Sequence, residues 1–433
     1  MRSRPSGPDL KTLTYQEALD FISKQGRFAM KLGTQRTRAI LDRMGAPDRK
    51  MKGALIAGTN GKGSTGACLT SILRAAGLRV GFMPKPHLIS YRERIEINGS
   101  PITEDEFVST LEDMVPVLDG VASEMGPATE FEMLTALAIA YLAPRIDVLV
   151  CEVGLGGRLD ATNALDLGAA VITNVDLDHQ KYLGSTIGEI AREKAAIIKP
   201  GNHVVTGCEG EALEIVEARA SSVSAELWRL GREVTVESAS RGWGGHLLSV
   251  KGPGFEHDDL RLPLVGDYQP ANAAVAVATA HRLGVTLDEP ILDGLASTRW
   301  PGRLQVIAER PRVILDGGHN PAAMIKAGAA LRGLIGSERL VAVFAMLSER
   351  DPVQLLAALR TLKPEAVVFT EPASAHGHAI EADTLDELYG PGAYVARPAG
   401  AALEKARELA GPAGNVLVSG SLYLVGEILA LRD

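Results

Sequence analysis

Short runs of Val, Ile, Leu and Ala alternate along the chain with longer stretches in which apolar residues return every three or four positions. This alternation predicts an α/β fold, a mostly parallel sheet with helices on both faces. Residues 53–57 are an unbroken apolar run and predict a buried strand; a glycine-rich turn follows, then a helix over 65–76 that ends at Gly77, where a residue without a Cβ suits the cap. Residues 80–83 predict the next strand. Residues 131–142 carry apolar side chains on nearly every face and suit a buried helix, while 147–153 and 169–175 predict central strands. Both end in polar loops, where open parallel sheets place ligand chemistry. From 202 to 264 the pattern changes to short alternating segments, 233–237 and 246–251 among them, separated by glycines. These predict an antiparallel meander along one edge of the first domain. Residues 268–283 return to helical spacing, 297–301 read as a linker, and apolar runs at 313–315, 340–344, 366–370 and 415–418 alternate with helices in a second, smaller α/β domain. The expected division is 1–297 and 298–433.

Composition narrows the class. Of 433 residues, 45 are Lys or Arg and 53 are Asp or Glu, a net charge of -8, so no global basic field exists to hold nucleic acid or an anionic membrane. An anionic ligand must be met by local cations. With 46% hydrophobic and 23% charged residues, the chain has the mix of a folded globule rather than of a disordered segment. Cys68, Cys151 and Cys208 are too few and too scattered for a disulfide framework or a zinc cluster, which fits a reducing compartment. Residues 1–10 hold two arginines, two prolines and a glycine but no apolar core, unlike a secretory signal. No run approaches the roughly 18 apolar residues of a membrane span. The expected location is the cytoplasm.

Between the first strand and its helix lies Ala57-Gly58-Thr59-Asn60-Gly61-Lys62-Gly63-Ser64. Glycines let successive N–H groups and the helix N-terminus face a phosphate chain, Lys62 adds a point charge, and the Ser64 hydroxyl is a hard oxygen for a metal. The strict pattern G-x-x-x-x-G-K-[ST] is not met, because Ile56 stands at the first glycine and Gly63 separates Lys62 from Ser64. A plain glycine turn capping a helix is the alternative, but few such turns combine Gly, Lys and Ser at a strand-to-helix junction.

Glu152 closes the strand at 147–153 and precedes the loop Gly154-Leu155-Gly156-Gly157-Arg158-Leu159-Asp160-Ala161-Thr162-Asn163. A carboxylate there can hold Mg²⁺ on nucleotide phosphates or simply cap its loop. Asn174-Val175-Asp176-Leu177-Asp178-His179-Gln180 closes another central strand, and His179 can ligate a metal, donate to a phosphate or sit as a satisfied loop histidine. Residues 189–200 form a charged helix turning apolar before Pro200; taken alone, Glu193 and Lys194 read as a solvated face.

Together these segments resemble one family. Gly58 to Ser64, Glu152 to Asn163, Asp178 to Gln180, Glu193-Lys194, Asn272, Pro301-Gly302-Arg303, Asp316-Gly317-Gly318-His319-Asn320-Pro321 and Ser419-Gly420-Ser421-Leu422-Tyr423 look like folylpolyglutamate synthase/dihydrofolate synthase of the Mur ligase superfamily. Lys31-Leu32-Gly33, Pro86-His87-Leu88 and Tyr91-Arg92-Glu93-Arg94-Ile95 extend the resemblance from about Tyr15 to the C-terminus.

The resemblance implies a P-loop-type, Mur ligase ATP-binding domain with an antiparallel edge and a smaller Rossmann-like ligase domain, with ATP between them. Gly58, Thr59, Asn60, Gly61, Lys62 and Gly63 would hold the phosphates, and Ser64 and Glu152 a first Mg²⁺. His179 would join Glu152 on a second Mg²⁺, with Lys194 if that lysine is carbamylated. Asn272 is implied at the base, Arg303 at the phosphates, and Asp316 and His319 at the nucleotide; Glu132 matches a family acid near the site. Lys62, Glu152, His179 and Lys194 are thus the implied catalytic set, and Lys85, His87, Arg92, Asp160, Thr162 and Asn163 the implied substrate contacts. Imidazole is an unusual ligand for Mg²⁺, which points to Mn²⁺ as a competent substitute. Three departures stand out: Pro84-Lys85-Pro86 occurs where Thr or Ser, Ser and Pro are common, Ala196 replaces a glycine, and Tyr268 replaces a histidine before Gln269. Lys85 borders the loop expected near the folate.

The implied reaction adds L-glutamate to dihydropteroate, to a folate γ-carboxylate, or to both, through an acyl phosphate made from ATP; a bifunctional enzyme is the expectation. Phosphoryl transfer needs positioning and charge neutralisation more than a protein nucleophile, in keeping with a sequence that shows no Ser-His-Asp or Cys-His triad. The expected partners are L-glutamate and a pterin or folate acceptor, with neither nucleic acid nor membrane, and the expected state is a monomer. A UDP-muramyl amino-acid ligase is the rival within the superfamily; the 91–95 and 152–163 segments disfavour it, as does the lack of an evident UDP-binding Rossmann domain before the phosphate loop. A non-catalytic nucleotide-binding regulator is the rival outside it, disfavoured because metal and phosphate groups come from several separated segments.

Overall fold

The structure, a computed structural model, describes residues 13–26 and 33–431. Lys31 and Leu32 of the family-like N-terminal segment, and the stretch 1–10, lie outside these residues. Strands β1 (Gly53–Ala57), β2 (Val80–Met83), β3 (Glu96–Ile97), β4 (Ser100–Pro101), β5 (Val148–Glu152), β6 (Gly168–Ile172), β7 (His203–Thr206) and β8 (Glu226–Arg229) form one sheet in the order β4-β3-β2-β5-β1-β6-β7-β8. All pairings are parallel except those of β3 and β4 at one edge. Strands β1, β2 and β5 are buried along their whole length, which is why each reads as a continuous apolar run instead of an alternation. The chain leaves β1 toward β2 on one side and later steps from β5 across β1 to β6. The carboxyl ends of β5, β1 and β6 therefore meet at a crevice where the strand order reverses, the natural ligand position of an open α/β sheet.

Residues 202–264 depart from the expected meander. β7 and β8 are parallel additions to the main sheet with helix Gly210–Ser222 between them. That helix buries the small or slender Ala212, Val216 and Ala220, so its apolar stripe is narrow and easily overlooked. Only β9 (Thr235–Ser240), β10 (His246–Gly252) and β11 (Phe255–Leu262) are antiparallel, and they form a separate sheet rather than an edge of the first. Leu248, Val250, Leu260 and Leu262 of this small sheet share a core with helices Lys62–Ala75 and Gln269–Arg282.

The last sheet uses β12 (Gln305–Glu309), β13 (Arg312–Leu315), β14 (Leu340–Phe344), β15 (Ala366–Phe369), β16 (Ala393–Val395) and β17 (Asn415–Ser419) in the order β12-β13-β17-β14-β15-β16. It is parallel apart from β12 and carries apolar cores on both faces. The connection into it does not hang free: the Trp300 ring lies 5.7 Å from Phe82, and a Cβ on Gly63 would come within 2.6 Å of that indole. No helix among the described residues is long and apolar enough to cross a membrane.

Glu96 on β3 gives the edge of the main sheet a pH dependence. Burial, then the charge of Glu93, raises its carboxyl to about 7, with Arg74 opposing. Between its ordinary value of 4.5 and about 7 the folded chain holds a proton that the unfolded chain has released, so stability falls as pH rises across that window. Glu96→Gln is expected to raise stability by on the order of 2 kcal/mol at about pH 8 and to leave it unchanged at about pH 4. Urea unfolding at the two pH values checks this; equal effects at both would mean that the carboxylate charge is not the cause.

Candidate active site

Three strand ends build one wall of the site. Beyond β1, Gly58 has φ +154° and Gly61 φ +83°. A Cβ on Gly58 would lie 1.9 Å from Thr173 Oγ1, and one on Gly61 2.4 Å from Asn272 Oδ1. Only glycine lets the turn come this close to its neighbours. The exit of β6 then pins the turn. Asn60 N–H donates to Asn174 Oδ1 at 2.9 Å, and the Asn60 carbonyl accepts from Thr173 Oγ1 at 2.6 Å and Asn174 Nδ2 at 3.0 Å. Thr59 Oγ1 donates to the Asp176 carbonyl at 3.1 Å and accepts the Asp176 N–H at 3.0 Å.

The charges sit around this turn. Lys62 Nζ curls back to the carbonyls of Gly58 at 3.0 Å and Thr59 at 3.2 Å, and lies 3.9 Å from Glu152 Oε1. Glu152, the last residue of β5, is 4% exposed, and its Oε2 accepts the Lys85 N–H at 3.0 Å. Burial raises its carboxyl above the ordinary range against the pull of Lys62. Lys194, on helix Ile187–Ala195, does not belong to a solvated face: it is 4% exposed and its Nζ donates to the Gly58 carbonyl at 3.0 Å. Its neighbour Glu193 does turn outward, to Arg158 at 2.8 Å. Burial, then the Lys62 charge, pulls Lys194 down to about 7. Two amines thus converge on one carbonyl oxygen, which leaves both with N–H donors for an anion. His179 adopts φ 50° at the start of the short helix Gln180–Leu183. Burial lowers its pKa, with Asp178 opposing.

The loops of the last sheet supply the facing wall. Asp316, just past β13, accepts N–H groups of Gly318 at 2.8 Å and Leu304 at 3.1 Å; burial raises its carboxyl while Arg303 opposes. His319 Nδ1 lies 2.9 Å from the Gly317 carbonyl, and burial lowers this imidazole to about 4. The ring is therefore neutral at pH 7, with its proton on Nδ1 and the Nε2 lone pair available. Asn320 Nδ2 reaches across to Asn60 Oδ1 at 3.1 Å and Asp178 Oδ2 at 2.9 Å. Arg350, in the loop after β14, pairs with Asp178 and brings its Nη2 to 3.1 Å from His179 Nε2. Burial pushes the Asp178 carboxyl up, but the charges of His179 and Arg350 outweigh it and hold it below the usual carboxylate range.

Between the walls lies a cleft of about 400 Å³. Gly58 to Ser64, Glu152, His179, Lys194, Asn272, Arg303, Asp316 and His319 all line it. Of the substrate contacts implied by the resemblance, only Lys85 does. Asp160 accepts from the N–H groups of Leu155 and Thr162, both at 2.9 Å, and Asn163 Oδ1 accepts from Lys199 Nζ at 2.9 Å. Asp160, Thr162 and Asn163 thus fasten the glycine loop from beneath rather than facing the cleft. His87 accepts from Arg94 Nε at 2.8 Å and packs 4.4 Å from Tyr91; burial, then Arg94, lowers it to about 3. His87 and Arg92 both stand outside the lining. Glu132 uses Oε2 for its own helix start and for Arg36, at 2.8 and 2.9 Å, and does not line the cleft.

Phe131, Arg94, Lys326 and Arg350 line the cleft without having been singled out. Arg350 had a usable signal, its place in the polar loop after an apolar parallel strand. In all, seven Lys and Arg side chains line the cleft against four Asp and Glu, so an anion-receptive interior is built into a chain of net charge -8. No group of three or more His, Cys, Asp or Glu among the described residues is arranged to hold a metal. The Ser64 hydroxyl and the Glu152 carboxylate offer hard oxygens beside the phosphate turn. Mg²⁺ is ordinarily held by one or two carboxylates with substrate phosphates and water completing its shell, so this donor set fits an ion that arrives with a nucleotide.

Comparison with known proteins assigns the family. The Mur ligase middle domain matches residues 56–280, and the glutamate ligase domain of the Mur ligases matches residues 302–422. Dihydrofolate synthase/folylpolyglutamate synthase of Bacillus subtilis is 35% identical over 357 residues, covering 80% of this chain and 83% of that protein. A probable bifunctional folylpolyglutamate synthase/dihydropteroate synthase of Haloferax volcanii is 34% identical over 96% of this chain, and the chain spans about half (50%) of that relative's length. The solved structure of Escherichia coli FolC in complex with DHPP and ADP superposes with a TM-score of 0.88 at 30% identity, covering 97% of this chain and 98% of the other. By sequence and by fold, the chain belongs to the folylpolyglutamate synthase/dihydrofolate synthase family of Mur ligases.

Proposed function

We propose that the chain is an ATP-dependent ligase that joins L-glutamate to the carboxylate of a pterin or folate acceptor, accepting both dihydropteroate and a folate. The observation that carries this reading is the convergence of Lys62, Glu152 and Lys194 on the Gly58 turn, opposite Arg303 and His319. The E. coli relative's complex with ADP supports a nucleotide in this cleft. In this reading residues 1–297 bind ATP and residues 298–433 close over it.

The turn amides and Lys62 hold the β- and γ-phosphates, Arg303 supports them from the facing wall, and Asn272 meets the base. An acceptor carboxylate oxygen attacks the γ-phosphorus, the bond to the β,γ-bridging oxygen breaks, and ADP leaves. The glutamate amine then attacks the acyl carbon, the carbon–oxygen bond to phosphate breaks, and the amine loses a proton as the amide forms. Lys62 and Arg303 neutralise charge that moves between these oxygens, in a site where fixed charges need no reorganisation. Mg²⁺ held by Ser64 and Glu152, with His179 and a carbamylated Lys194 at a second ion, would supply further charge neutralisation, and the imidazole makes Mn²⁺ competent. The site is completed within one chain, so a monomer suffices.

Incubation with ATP, Mg²⁺, L-glutamate and each acceptor in turn is expected to give ADP, phosphate and a glutamate adduct by mass with both dihydropteroate and a folate. ADP release without an adduct from either acceptor would reject the ligase reading.

A further inference from the structure

Lys85 lines the cleft beside the buried Glu152 carboxylate, and its ammonium is incomplete. Its backbone N–H donates to Glu152 Oε2 at 3.0 Å, which fixes the residue beside the buried carboxylate. Its Nζ lies 4.2 Å from the centroid of the Phe131 ring, is shielded from water, and finds no hydrogen-bond partner among the described residues. An ammonium brings three N–H donors, and one aromatic face returns only part of what a buried cation loses in leaving water.

Topology says what is missing. The sheet order β2-β5-β1 places the phosphate turn past β1, Glu152 at the end of β5, and Lys85 just past β2. Glu152 therefore stands between Lys62 on one side and Lys85 on the other, and it contacts both residues, through the Lys62 ammonium and the Lys85 N–H. The phosphate-binding amides are all on the Lys62 side. An anion that meets the γ-phosphate from the far side of Glu152 arrives at Lys85.

We infer that Lys85 binds the reacting carboxylate of the acceptor. It holds one carboxylate oxygen while the other attacks the γ-phosphorus, and it stays paired with the acyl phosphate until the amine displaces phosphate. This ammonium sets a positive charge on the acceptor side of Glu152, so part of the charge neutralisation there is carried by the protein itself. The inference rests on the ligase reading above.

Steady-state rates of glutamate-adduct formation for wild type, Lys85→Met and Lys85→Arg, with acceptor and ATP varied separately, test it. Lys85→Met is expected to raise the acceptor KM by about tenfold or more and to lower kcat, with the ATP KM held within about twofold, and Lys85→Arg to retain an acceptor KM nearer wild type. An acceptor analogue whose carboxylate is replaced by a carboxamide should inhibit wild type and Lys85→Met equally. ADP binding by calorimetry, unchanged in both variants, shows that the nucleotide wall is intact. An unchanged acceptor KM in Lys85→Met, or a rise confined to the ATP KM, overturns the inference. Wild type failing to form any adduct instead removes the ligase reading beneath it.

Discussion

Glu152→Gln is expected to lower the rate of glutamate ligation by about 10³ or more while leaving the protein at least as stable as before, a combination that separates a catalytic charge from a structural one. Glutamine keeps the shape and one oxygen to accept the Lys85 N–H, so the exit of β5 should hold its course. What it removes is the negative charge 3.9 Å from Lys62, and with it the carboxylate that the proposed mechanism offers to a cation beside the Gly58 turn. Burial keeps this carboxyl above its ordinary range even with Lys62, Lys85 and Arg303 pulling it down. The folded chain thus bears a cost for the ionised form at neutral pH that the neutral isostere does not bear. Turnover measured by ADP release and stability measured by thermal unfolding read the two halves independently. Retention of more than about a tenth of wild-type turnover would remove Glu152 from the chemistry, and a large drop in melting temperature would make it structural.

The parts of this molecule that were legible beforehand are those written in backbone chemistry and continuous burial. β1, the phosphate turn and the following helix could be read because a fully buried parallel strand is an unbroken apolar run and a tight turn needs Gly58 and Gly61. The polar ends of β5 and β6 followed from the same logic, and with them Glu152 and His179. Legibility failed where burial is carried by small residues, as in helix Gly210–Ser222, and where a polar side chain changes meaning with its surroundings. Read alone, Lys194 in a charged helix gave the wrong environment, while Asp160, a substrate contact by the resemblance, does not line the cleft. Tertiary packing decides both, burying Lys194 against Gly58 and turning Asp160 inward to the Thr162 and Leu155 amides. The pairings of Arg350 and Asn320 are beyond periodicity, since their partners Asp178 and Asn60 lie more than a hundred residues away across the cleft.

Lys194 carries the second large effect, and its environment determines the sign. At an ordinary lysine pKa, about one amine in three thousand is neutral at pH 7; held near 7, about half are. Only the neutral amine adds to CO₂: its lone pair forms the N–C bond, a C=O pair moves onto oxygen, and a proton leaves to water. The product replaces one of two amines crowded on the Gly58 carbonyl with an anion beside Lys62. Turnover is therefore expected to fall in CO₂-depleted buffer, to recover with bicarbonate, and to rise with pH between about 6 and 8. Lys194→Met should cost about 10² in kcat and abolish the bicarbonate response. Because the unfolded chain binds the proton between about 7 and 10.5 and the folded chain does not, Lys194 also makes stability rise with pH over that window, a slope that Lys194→Met should remove. Isotopically labelled bicarbonate should give a carbamate carbon resonance in wild type and none in Lys194→Met. Turnover indifferent to CO₂, with no such resonance, would leave Lys194 as a buried amine that only supports the phosphate turn.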